Sequence, residues 1–119
     1  RGVLEGPEKE AEIYREAIAL AEKDRDRYSA LLPRLYNNYG AALVGMGRHR
    51  DAVSWYEKAV NADDDYAPVH FNLGRLYGTH LESPQDAIAA YRRHVALGGQ
   101  RGVAAREAIR RLQDDRDKE

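Results

Sequence analysis

Tyr36-Asn37-Asn38-Tyr39-Gly40, followed by Leu43, Gly47, Ala52 and Tyr56-Glu57-Lys58-Ala59-Val60, decides how this chain folds, because most of it is written twice. The later copy runs His70-Phe71-Asn72-Leu73-Gly74, then Tyr77, Ala87 and Tyr91-Arg92-Arg93-His94-Val95. An earlier, partial copy is Tyr14-Arg15-Glu16-Ala17-Ile18. The tyrosines that open the three phrases, Tyr14, Tyr56 and Tyr91, lie 42 and 35 residues apart. Repetition at such a period marks an architecture in which each unit stacks on its neighbour to bury a face it cannot bury alone.

Apolar residues recur at three- and four-residue steps throughout, and no strand alternation interrupts them. The pattern predicts six helices. The first spans 7–23, opened by Gly6-Pro7-Glu8, with Pro where its missing N–H costs nothing. The second carries Leu31, Leu32, Leu35, Tyr36, Tyr39 and Leu43. It is expected to start near Arg27, with Pro33 early enough to be tolerated, and to stop at Gly45-Met46-Gly47. The third runs from about 50 to 61, and Asp63-Asp64-Asp65 is expected to cap the fourth, which carries Val69, Phe71, Leu73, Leu76 and Tyr77. Ser83-Pro84-Gln85-Asp86 has the form of a capping box for the fifth, which ends at Gly98-Gly99. A sixth is expected over 102–113, with 114–119 a charged, frayed tail. The units so defined are 7–23, the second helix of an incomplete repeat, then 27–62, 66–97 and a closing helix at 102–113.

Laid over one another, the units resemble the tetratricopeptide repeat: an aromatic, then the Leu-Gly pair, an aromatic three on, a small residue opening the second helix, an aromatic four after it and Ala three beyond. The resemblance covers roughly residues 8–98 and implies an all-α, antiparallel helix-hairpin solenoid with a right-handed superhelix. Gly40 and Gly74 let the two helices of a hairpin approach closely, and Ala52, Ala59 and Ala87 keep the crossing shallow. There are departures. His94 replaces the last Ala of its unit, Asp64 stands where the family has Pro, and Leu81-Glu82 lengthens one turn by a residue. The first unit lacks its first helix and has Glu10 where a small residue is usual.

In this family ligands lie in a concave groove lined by the first helix of each pair. The resemblance implies partner contacts from Asn38 and Asn72, whose amides offer a donor and an acceptor to an extended peptide backbone, with Asn37 beside them. The alternative is that these amides tie adjacent helices together. Arg34 and Arg75, joined by Arg106 and Arg110 of the last helix, form a candidate cluster for bidentate capture of a carboxylate or phosphate. The alternative is solvated arginines paired with nearby acids. The cluster resembles the carboxylate-clamp members of the family only in part, since the first-unit Lys and Asn of those members have no counterpart here. Phe71 is either an apolar anchor in the groove or a core residue. Trp55 is expected half-buried on the outer side of its helix.

The totals narrow the function classes. In 119 residues, Lys plus Arg is 19 and Asp plus Glu is 20, a formal charge of −1, which argues against a dedicated nucleic-acid binder. No apolar run approaches the roughly 20 residues of a membrane span. With no Cys and no paired His on one helix, no metal site or cofactor is expected. No nucleophile elbow or phosphate loop is present, so the expectation is a non-catalytic protein–protein interaction module that takes a peptide or helix. A regulatory or oligomerisation segment of a larger protein and a self-assembling scaffold are the alternatives. The chain begins with Arg, as a processed product or an excerpt of a longer array does, and the compartment stays open. The apolar face of the first helix, with Ile13, Tyr14 and Ile18, is expected to need a preceding helix or another subunit to cover it; residues 1–6 are too few.

Overall fold

The computed structural model of the chain describes residues 5–118. Its helices are α1 (Pro7–Lys23), a short α2 (Arg25–Tyr28), α3 (Leu32–Gly45), α4 (His49–Ala62), α5 (Ala67–Thr79), α6 (Pro84–Ala96) and α7 (Gly102–Asp117). A 3-10 turn, Ser29–Leu31, leads into α3. The fold is the all-α helix-hairpin repeat that the periodicity requires. It divides into two compact units, and the chain passes from one to the other between Asp64 and Asp65.

In the first unit α3 packs against both α1 and α4. Leu32, Tyr36, Tyr39, Gly40 and Leu43 form its buried stripe, and α4 answers with Ala52, Tyr56 and Ala59. A β-carbon on Gly40 would lie 2.6 Å from the Tyr56 ring, so glycine is what lets these helices close. Ala52 and Ala59 are 0% exposed, which leaves no room for a larger side chain at the crossing.

The second unit repeats the device. Here α6 packs against both α5 and α7, and a β-carbon on Gly74 would lie 2.7 Å from the Tyr91 ring. Phe71, Ala87, Tyr91 and Ala105 form the core, with Tyr77, Val95, Ala108, Ile109 and Leu112 packed around it. The helix stops are also copies. Gly47 (φ 78°) and Gly98 (φ 71°) take the left-handed conformation just past α3 and α6. Their N–H groups bond to Val44 and Val95, and the next N–H in each case reaches back to Leu43 or His94.

Several local expectations give way. The long second helix starts at Leu32 rather than near Arg27. Pro33 is placed in its first turn, where no N–H is needed, and the chain before it winds through α2 and the 3-10 turn. The N-cap residue of α5 is Tyr66 rather than an aspartate of the 63–65 run, and it makes no side-chain cap bond; Asp65 pairs with Arg93 at 2.9 Å. The Ser83 hydroxyl donates to Asp86 Oδ2 at 2.6 Å instead of accepting a backbone N–H. The final helix runs on to Asp117, so most of the expected tail is helical, and Glu119 lies outside the described residues. On α1, Ile18 is buried and Tyr14 half-buried, because α1 turns that side toward α3. Ile13 and Leu20 are its large apolar residues left exposed, at 54% and 66%. Of the residues expected before α1, 1–4 lie outside the described ones.

Gly74→Ala is expected to lower stability by about 1–3 kcal/mol through the Tyr91 overlap, outweighing the better helix propensity of Ala. Gly102→Ala, where a β-carbon meets nothing within 4 Å, is the control and is expected to leave stability unchanged or slightly raised. Urea unfolding of both variants checks this.

Candidate functional site

On α3, Asn37 is 5% exposed, and its Nδ2 donates to Oδ1 of the half-buried Asn38 at 3.5 Å. Burial removes Asn37 from the set of residues a partner can reach, because it falls on the inner side of the helix one position before Asn38. Arg34 is exposed one turn earlier. Beside them is an aromatic cluster. Half-buried Trp55 meets Tyr39 edge-on at 4.8 Å and Tyr36 at 5.8 Å, and the Lys58 ammonium sits 4.7 Å above the indole. The Tyr36 hydroxyl donates to Glu22 Oε2 at 2.5 Å. Burial, then the Glu22 bond and charge, push that hydroxyl above the usual tyrosine range.

In the second unit, Ala67, Phe71, Asn72, His94, the turn 98–100 and Arg101 surround an open cleft of about 500 Å³. Phe71 is both core and floor: buried, edge-on to Tyr91 at 5.4 Å, and still lining the cleft. Asn72 accepts from Arg75 Nη2 at 3.3 Å. The guanidiniums of Arg75 and Arg101 lie 5.5 and 4.4 Å from the centre of the Phe71 ring.

Of the residues expected from sequence, Phe71, Asn72 and Arg75 thus come together. Arg106 and Arg110 do not join them. Both are exposed on α7 and neither lines the cleft, and Arg110 is held by Glu107 and Asp114 of its own helix. That pairing raises Arg110 and lowers Glu107 relative to their ordinary values.

Arg101 and His94 were not foreseen as parts of this site. His94 is 2% exposed in the position the repeat gives to Ala. Its Nε2 lies 3.1 Å from the Arg101 N–H and therefore accepts, which leaves Nδ1 to carry the proton and donate to the Ala67 carbonyl at 2.8 Å. One neutral imidazole so ties the start of α5, the end of α6 and the approach to α7. A side chain at Gly99 would run into its ring. The Gly98-Gly99 stop followed by a cation was the available signal.

Residues 33–66 match the family model of the tetratricopeptide repeat. Over that segment the chain is similar to a tetratricopeptide repeat. The match begins one residue into α3 and ends one residue before α5, so it frames the α3–α4 hairpin, and the glycine–tyrosine seat of that repeat recurs in α5–α6. A curated relative, Protein O-mannosyl-transferase Tmtc3 of Drosophila melanogaster, is 34% identical over 64 residues, 54% of this chain and 7% of the relative's length. No helix among the described residues is long and apolar enough to cross a membrane.

Replacing His94 by Leu strands an N–H and a carbonyl and is expected to cost about 1–3 kcal/mol, with faster amide exchange at Arg101. Tyr36 and Tyr91 are both raised in the folded chain, Tyr91 chiefly by burial. Their stability contribution is therefore complete below the unfolded tyrosine value near pH 10 and is lost as pH rises through the folded values. Urea midpoints should hold to about pH 9 and then fall, less steeply in Tyr36→Phe.

Proposed function

We propose that the chain is a non-catalytic protein-binding module that holds an extended peptide along the cleft side of α5, with Asn72 reading its main chain. The observation that carries this reading is the Asn72 amide at the edge of an open, Phe71-floored cleft, in a hairpin that copies the glycine–tyrosine seat of the matched repeat, a type that serves protein–protein interaction. An amide reads a peptide backbone without demanding a side chain. Asn38, at the equivalent place on α3, is the second residue assigned this role.

The O-mannosyl-transferase relative supports a second reading for the whole protein. Where the chain is part of a longer enzyme, the repeats serve that enzyme as a regulatory or partner-holding segment and the chemistry belongs elsewhere.

The test is to isolate a partner by affinity capture and measure its Kd for the wild-type chain and for Asn38→Ala plus Asn72→Ala. Losing two amide contacts at about 1 kcal/mol each gives roughly a tenfold or greater weakening. An undiminished affinity removes the assignment.

A further inference from the structure

The cleft of the second unit is open because small residues line it. Ala67 and Pro68 stand on α5, and Gly98 and Gly99 on the turn that follows α6. None of the four carries a side chain that reaches far, and about 500 Å³ stays free beside them. Gly99 cannot be enlarged, since a β-carbon there would run into the His94 ring. Phe71 is buried, so it offers an incoming group little ring surface of its own. What the cleft presents instead is the Arg101 guanidinium, whose Cζ stands 4.4 Å over the centre of the Phe71 ring.

Arg101 differs from Arg75 in two respects. It lines the cleft, whereas Arg75 does not and stands farther from the ring, at 5.5 Å. Its backbone is also held on both sides. The N–H donates to Nε2 of buried His94 at 3.1 Å, and the carbonyl accepts from the Ala105 N–H at 2.8 Å. A guanidinium is planar and delocalised, and it stacks on aromatic faces. With one side against Phe71 and the residue exposed, its other side is open to a second ring. A ring placed there gains cation–π attraction, which an aliphatic side chain of similar size does not. The Asn72 amide lines the same cleft, so a main chain held on it delivers its side chain into this space.

We infer that the cleft takes an aromatic side chain of the bound peptide, stacked on the Arg101 guanidinium over Phe71. This rests on the peptide-binding reading above and names the side chain that the site selects: Trp, Tyr or Phe, with the flanking main chain on Asn72. His94 acts through Arg101, as a positioning residue.

Three acetylated and amidated pentapeptides test it: Gly-Ser-Trp-Ser-Gly and its versions with Leu or Glu at the centre. Each is titrated into the 15N-labelled chain, with the Asn72 side-chain amide and the backbone N–H groups of residues 98–101 as reporters. The Trp peptide is expected to saturate these shifts and to bind about tenfold more tightly than the Leu peptide. It should also move the Arg101 side-chain protons upfield by ring current. Arg101→Met keeps the reach of the side chain and the backbone bond to His94, and is expected to erase the preference for Trp. The N–H of residue 101 reports that the turn is still formed in that variant. Equal binding of the Trp and Leu peptides overturns the aromatic subsite and leaves peptide binding standing. A preference for Trp that survives Arg101→Met overturns it as well. Tightest binding of the Glu peptide gives the arginine to a carboxylate and has the same consequence. No shift with any peptide overturns both readings.

Discussion

Each hairpin of this protein rests on one steric exclusion: a tyrosine ring of the second helix occupies the space where the first helix would carry a β-carbon. Tyr56 fills it at Gly40, and Tyr91 fills it at Gly74. The interhelical distance is thereby set by a hydrogen atom on one side and a flat ring on the other. Alanines at 52, 59 and 87, all fully buried, keep the same contact thin along its length. The candidate site in the second unit is built on that seat. Tyr91 fixes Phe71 edge-on, Phe71 floors the cleft, and His94, one turn beyond Tyr91, ties the cleft's far wall.

Charge contributes little to holding this arrangement. The ion pairs of Arg15, Arg27, Arg48 and Arg110 are between exposed neighbours on one stretch of helix, where such pairs are worth about 0–1 kcal/mol. His94 departs from the repeat's usual pattern. It replaces a small apolar residue with a ring that makes two hydrogen bonds, so a family position that normally only packs becomes a joint between three elements.

The helix-hairpin repeat was legible because its determinants recur at fixed spacing: Gly40 with Tyr56 and Gly74 with Tyr91 are patterned, so one copy explains the other. The helix ends at Gly47 and Gly98 were legible for the same reason. Capping was less so. Ser83 and Asp65 have the right chemistry for a cap, but the Ser83 hydroxyl goes to Asp86 and Asp65 pairs with Arg93. Of the candidate site, Asn72, Phe71 and Arg75 could be read from their places on the first helix of a repeat. Asn37 could not, since one step around a helix separates a reachable amide from a buried one. Arg101 could not either, because its partner Phe71 lies 30 residues away in sequence and only packing brings them together.

A double-mutant cycle between Gly74→Ala and Tyr91→Leu, read by urea unfolding, tests the steric seat most directly. Removing the ring removes the obstacle, so the cost of Gly74→Ala should shrink strongly in the Tyr91→Leu background, with a coupling of about 1 kcal/mol or more. Additive costs, with the added methyl equally harmful whether or not the ring is there, would contradict the claim that this contact sets the spacing of the hairpin.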